Sequence, residues 1–86
     1  MSTPEAVTEI RFSSNTENIA IVEKLIDEVC ENFKVKEDHY GNILISLTEA
    51  VNNAIVHGNR LDPSKEVIVK YSSVDGKLRF WVEDEG

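Results

Sequence analysis

Disulfides are excluded first, because the 86-residue chain has a single cysteine, Cys30. A lone thiol in a helical stretch reads as a half-buried core residue, and nothing points to an oxidising compartment. Long apolar runs are also missing. No segment approaches the ~20 residues that span a bilayer, so no membrane role is expected. Met1–Glu5 lacks the charged-then-apolar pattern of an export signal, and the expected setting is cytoplasmic. Basic residues are few: 9 Lys and Arg stand against 16 Asp and Glu, for a net charge of −7. Phosphate affinity comes from clustered Lys and Arg, so nucleic acid is not an expected partner. Repeats, linkers and low-complexity tracts are absent. At 86 residues the chain holds one small domain of modest core.

What is present is well patterned. Val7 to Ser13 alternates, with Ile10 and Phe12 on the core side, and predicts a first strand. Ser14-Asn15-Thr16-Glu17 reads as a capping box with Ser14 as the cap. The helix it opens carries a stripe of Ile19, Val22, Leu25, Ile26, Val29 and Phe33. After a connection over residues 32–36, a second helix is predicted from Glu37 to His57. Its stripe is Tyr40, Ile43, Leu44, Leu47, Val51, Ala54 and Ile55. Gly58 and Asn59 suit a left-handed cap, and Pro63 forbids continuation. Two strands follow, residues 66–73 and 77–83, joined at Asp75-Gly76 by a strong hairpin signal. That turn sets Tyr71 opposite Phe80, Val69 opposite Val82 and Val67 opposite Asp84. Lys70 falls opposite Trp81 on the outer face, where a cation–π pair is expected. Strand-helix-helix-strand-strand with one apolar face per element predicts an α+β two-layer sandwich.

Two features exceed what packing needs. Glu49 and Asn53 lie at i, i+4, roughly opposite the apolar stripe, with Ile45 and Val56 beside them. Such a pair is ordinarily just solvated; the apolar flank suggests that something covers it. The hairpin register also places Asp84 on the helix-facing side of the sheet, where an unpaired carboxylate is costly to bury. Glu85-Gly86 follows, and glycine permits close backbone approach.

Glu49-Ala50-Val51-Asn52-Asn53-Ala54-Ile55-Val56-His57-Gly58 resembles the N-box of the GHKL ATPases, and Asp84-Glu85-Gly86 looks like the start of their Asp-x-Gly-x-Gly box. Glu49 at the head and His57-Gly58 at the tail make the stretch most similar to the bacterial anti-sigma-factor serine kinases. The resemblance covers residues 7–86 and implies the first half of the histidine-kinase-like (Bergerat) ATPase fold. It implies ATP and Mg²⁺ as ligands, a reading that the acidic balance supports, since a metal ion must screen the phosphates. Asn53 would hold Mg²⁺ through its side-chain oxygen. Glu49 would be the general base. Asp84 would accept from the adenine amino group, Gly86 would let the backbone close on the base, and His57 would approach a phosphate. Arg60 is a weaker candidate of the same kind. The implied partner is a sigma factor or an anti-anti-sigma-type protein.

The alternatives are a non-catalytic partner-binding module of the same fold and a sensor histidine kinase catalytic domain. His57-Gly58 and the lack of a preceding phosphoacceptor helix disfavour the latter. The chain stops inside the adenine-binding box. It therefore reads as a single truncated ATPase domain over residues 1–86, loose at residues 1–6 and inactive alone. Self-association through an exposed sheet edge or by exchange of elements is expected.

Overall fold

A computed structural model describes residues 7–74 and 77–85. The Asp75-Gly76 turn, Gly86 and residues 1–6 lie outside the described residues. The elements run β1 (Val7–Ser13), α1 (Ile19–Asn32), α2 (Glu37–Asn53), β2 (Glu66–Val74) and β3 (Lys77–Glu83). The strands form one antiparallel sheet in the order β1-β2-β3, with the helices against one face. The expected α+β two-layer architecture is the one observed.

The local patterns account for most of this. The β2–β3 ladder pairs Val69 with Val82, Lys70 with Trp81, Tyr71 with Phe80 and Val74 with Lys77, the register expected from the hairpin. Tyr71 and Phe80 pack as tilted rings with centroids 6.1 Å apart. Lys70 Nζ pairs with Glu83 Oε1 at 3.1 Å, so its charge is met by a carboxylate beside Trp81. On β1, Phe12 is buried opposite Val67, and Ile10 packs against the core opposite Val69.

The core is the seam between these faces. Val22 and Ile26 of α1, Val51 of α2, the following Ile55, and Val67 and Val69 of β2 are fully buried. Each such side chain contributes about 1.5–3 kcal/mol relative to exposure. Cys30 is buried with them, more deeply than expected, and burial pushes its thiol pKa up. Tyr40 donates to the Asp27 carboxylate and joins α1 to α2; that bond holds the phenol protonated above its ordinary range.

Three local expectations are corrected. The first helix is entered through a 3-10 turn, Thr16–Asn18, capped by Asn15, whose Oδ1 accepts from the Glu17 N–H at 3.0 Å. Ser14 is instead buried, because its hydroxyl is needed elsewhere. Phe33 falls beyond the end of α1 and is 48% exposed. Its neighbour Lys34 takes a left-handed conformation (φ 53°) that turns the chain toward α2. Finally, α2 stops at Asn53 and gives way to a π-turn, Ala54–Gly58, closed by the Asn59 N–H on Ala54 O at 2.8 Å. The wider turn lets consecutive Ala54 and Ile55 both face the core. The left-handed residues come later than expected, at Arg60 (φ 52°) and Leu61 (φ 58°), while Asn59 is right-handed. Among the described residues no helix is long and apolar enough to cross a membrane.

Candidate functional site

The exposed flank of α2 and the far end of β3 make the candidate site. Glu49, Asn53 and His57 are all exposed, while Leu47, Val51 and Ala54 on the opposite flank are buried. Neither Glu49 nor Asn53 has a side-chain hydrogen bond or ion pair with another described residue, so both are open to a ligand. Ile45 beside them is 66% exposed, and Val56 is half-buried against the core. Asn53 is the last α-helical residue, and His57 sits in the π-turn. Such bulges occur frequently at functional sites.

The second motif is brought to the first by direct contact. A Cβ placed on Gly58 would overlap the Asp84 carboxylate, its Oδ2 above all. The glycine after His57 is therefore what admits Asp84 to the end of the helix. Asp84 does lie on the helix side of the sheet, as the register requires. It is exposed, however, so the expected cost of burying its charge is absent. Gly86 lies outside the described residues. Arg60 is exposed and left-handed in the next turn.

Asn59 fixes this junction, and the sequence reading missed it. The residue is fully buried. Its Nδ2 donates to Ser14 Oγ at 2.7 Å and to Glu66 O at 3.0 Å. Its Oδ1 accepts from the Glu85 N–H at 2.7 Å. Ser14 Oγ in turn donates to Lys65 O at 2.8 Å. One carboxamide thus joins the end of the second helix to the end of β1, the start of β2 and the residue after Asp84. The Glu66 N–H also donates to the Glu85 carboxylate. A polar residue after Gly58 has the signature of a cap, which hid this role; only a buried position would have separated the two.

The donor set fits a magnesium ion of one kind only. Among the described residues no cluster of three His, Cys, Asp or Glu could cage a metal. Mg²⁺ normally keeps several waters and takes the rest of its shell from phosphates, with one or two protein oxygens. An exposed, uncommitted Asn53 suits that mode. A cavity of about 540 Å³ lies elsewhere, between α2 and β3. Its lining includes Asn42, Ser46, Phe80 and Val82 and none of the candidate site residues.

Comparison with known proteins agrees with this geometry. The family model of the histidine kinase-like ATPase domain matches residues 12–86. The anti-sigma F factor of Clostridium perfringens is 29% identical over 77 residues, which cover 90% of this chain and 55% of that protein. The anti-sigma F factor of Geobacillus stearothermophilus is 30% identical over 77 residues, covering 90% and 53% respectively. The chain thus spans about half the length of these relatives. With the strand, helix and hairpin order, the exposed Glu49–Asn53 flank and Asp84 held at Gly58, these matches show that the chain belongs to the histidine kinase-like ATPase domain family.

Proposed function

We propose that residues 7–86 belong to a single ATPase domain and supply one wall of a Mg²⁺–ATP site in a cytoplasmic regulatory protein of the anti-sigma-factor serine kinase type. The observation that carries this reading is the junction itself. Asp84 lies against Gly58, and Asn59 clamps the next residue, so the two motif-bearing segments form one surface. Glu49 stands nine residues before Gly58, ~13 Å along a helix axis at 1.5 Å per residue. That spacing allows opposite ends of one nucleotide to be engaged.

In this assignment Asp84 accepts a hydrogen bond from the adenine amino group. Gly86 lets the backbone approach the base. Asn53 offers a neutral oxygen to Mg²⁺, where a carboxylate would repel the triphosphate. His57, one turn on, approaches a phosphate. Bound Mg²⁺ supplies charge neutralisation at the phosphates. Glu49 accepts the proton of a serine hydroxyl as that oxygen attacks the terminal phosphorus and the bond from that phosphorus to the bridging oxygen breaks, releasing ADP; this requires the carboxylate beside the phosphates. The names of the relatives, anti-sigma F factors, support a sigma factor as partner; an anti-anti-sigma-type protein is the second partner that the family resemblance implies.

Amide shifts in a ¹⁵N spectrum, followed on titration with Mg²⁺–ATP and with Mg²⁺–GTP, test the assignment even at weak affinity. Asn53, His57, Gly58 and Asp84 should move with ATP and much less with GTP. Asp84→Asn should weaken ATP about tenfold or more, the usual effect of losing a hydrogen bond to a charged group. Gly58→Ala should do the same with the fold intact, because its Cβ displaces an exposed carboxylate. Equal responses to ATP and GTP, or an unchanged ATP response in Asp84→Asn, would refute the site.

A further inference from the structure

The two ends of the Asn59 carboxamide face different surroundings. Its Nδ2 spends both protons inward, one on Ser14 Oγ and one on Glu66 O. Ser14 is itself committed, because its N–H and its hydroxyl donate to Lys65 O at 3.0 and 2.8 Å. Turning the carboxamide over would set its oxygen against the Glu66 carbonyl and its NH₂ against the Glu85 N–H. Only the observed orientation satisfies the described partners, so Oδ1 is an acceptor fixed in space and aimed at Glu85. Ser14 and Asn59 are buried, whereas Asp84 and Glu85 are exposed. The clasp therefore has a buried, over-determined inner half and a solvent-facing outer half.

The outer half carries the base contact. β3 ends at Glu83, which pairs with Ile68, so Asp84 and Glu85 follow the ladder rather than belong to it. The Glu85 carboxylate accepts from the Glu66 N–H, a bond made by an exposed and flexible side chain. The Glu85 N–H on Asn59 Oδ1, at 2.7 Å, instead fixes the backbone one peptide away from Asp84. That bond sets where the Asp84 carboxylate meets Gly58. A hydrogen bond from an amino group weakens steeply outside about 2.7–3.2 Å and a near-linear approach, so the carboxylate must be placed closely. If the Glu85 amide lets go, Asp84 is in position for only a fraction of the time. Apparent affinity for a base read by Asp84 then falls by that fraction.

We propose that Asn59 is a positioning residue for base recognition: through the Glu85 amide it holds Asp84 where the adenine amino group can donate to it, and so sets the preference for adenine. Asn59 is buried and acts only through Glu85 and Asp84. The proposal rests on the assignment of Asp84 to the adenine amino group and adds the residue that makes that contact selective. It separates two uses of one carboxamide. Nδ2 stabilises the fold, and Oδ1 serves the site.

Amide shifts of the 86-residue chain test it, titrated with Mg²⁺–ATP and with the Mg²⁺ complex of purine riboside triphosphate, which lacks the amino group. The wild type should favour ATP about tenfold. Asn59→Ala should weaken ATP about fivefold to tenfold and leave the analogue within about twofold. Asn59→Asp keeps an oxygen facing the Glu85 N–H, so it should keep the preference for ATP although it is the less stable of the two. Ser14→Ala removes one acceptor of Nδ2 and spares the Oδ1 bond. It should lower the urea midpoint and leave the preference unchanged. The wild type gives a further readout that no variant's folding can obscure. Mg²⁺–ATP should slow solvent exchange of the Glu85 amide, because it selects the held state, and the analogue should not. Three results each overturn the proposal and leave the Asp84 assignment standing: a preference kept in Asn59→Ala, a preference lost in step with stability across the variants, or Glu85 exchange unmoved by ATP. A wild type that does not distinguish the two nucleotides overturns the Asp84 assignment and this proposal with it.

Discussion

Replacing Asn59 should destabilise the fold strongly for a polar change. Its carboxamide is fully buried and makes three hydrogen bonds to three separate segments. In Asn59→Ala, Ser14 Oγ keeps its bond to Lys65 O and loses little. The Glu66 carbonyl and the Glu85 N–H lose their partner, and a buried group left unsatisfied costs about 1–3 kcal/mol. Glu85 is exposed, so water recovers part of its share. The expected loss is about 2–3 kcal/mol. Asn59→Asp should cost about 1–2 kcal/mol more, since a carboxylate oxygen then faces the Glu66 carbonyl where a donor stood. A chain of 86 residues has roughly 4–13 kcal/mol in total at ~0.05–0.15 per residue, so the aspartate variant approaches the unfolding threshold. The alanine variant should melt roughly 10–20 °C lower. Urea denaturation at one fixed protein concentration, followed by Trp81 fluorescence and circular dichroism, measures the loss. Hydrogen exchange supplies the local readout: the Glu85 amide should lose protection before the amides of β2. A loss below about 0.5 kcal/mol for alanine, the range of an ordinary surface change, would refute the clasp. So would an aspartate variant no worse than alanine.

Two further outcomes follow from local geometry. Gly41 lies inside α2 with nothing within 4 Å of the position a Cβ would take, so Gly41→Ala should stabilise the chain by about 0.5–1 kcal/mol in the same urea assay. Asp62 Oδ1 accepts from Ser64 Oγ at 2.7 Å and from the Ser64 N–H at 2.9 Å, and these bonds hold its carboxyl below the ordinary range. A depressed carboxylate stabilises the fold above its unfolded pKa, and that stabilisation is lost as pH falls through the folded value. Ser64→Ala should therefore raise the Asp62 pKa in an NMR titration, and its stability deficit should be present near neutral pH and vanish in acid.

The helices and strands were legible because their signals are local. A 3.6-residue stripe identified the buried faces of both helices, and a period of two with a tight turn set the β2–β3 register to the residue. The site was half legible. Glu49 and Asn53 stand exposed on the flank opposite the core, as their spacing requires, and Asp84 lies on the helix side as its register requires. Errors came where a residue had two local uses. Ser14 and Asn59 both have the signature of helix caps, yet each is buried with a partner 45 residues away in the chain. Lys70 had both an aromatic and a carboxylate within reach, and the full charge of Glu83 won.

By itself the sequence determined the elements, their inner faces, the hairpin pairing and the order of the two motifs, since each follows from periodicity, caps and turn chemistry within a few residues. Only the tertiary structure decided that β1 docks on β2. It also decided that the second helix ends in a π-turn, and that Gly58 admits Asp84 while Asn59 holds its neighbour. These depend on which distant groups share one small buried volume. Hydrogen bonds there are set by whichever donors and acceptors the packed core excludes from water, and no local pattern encodes that choice.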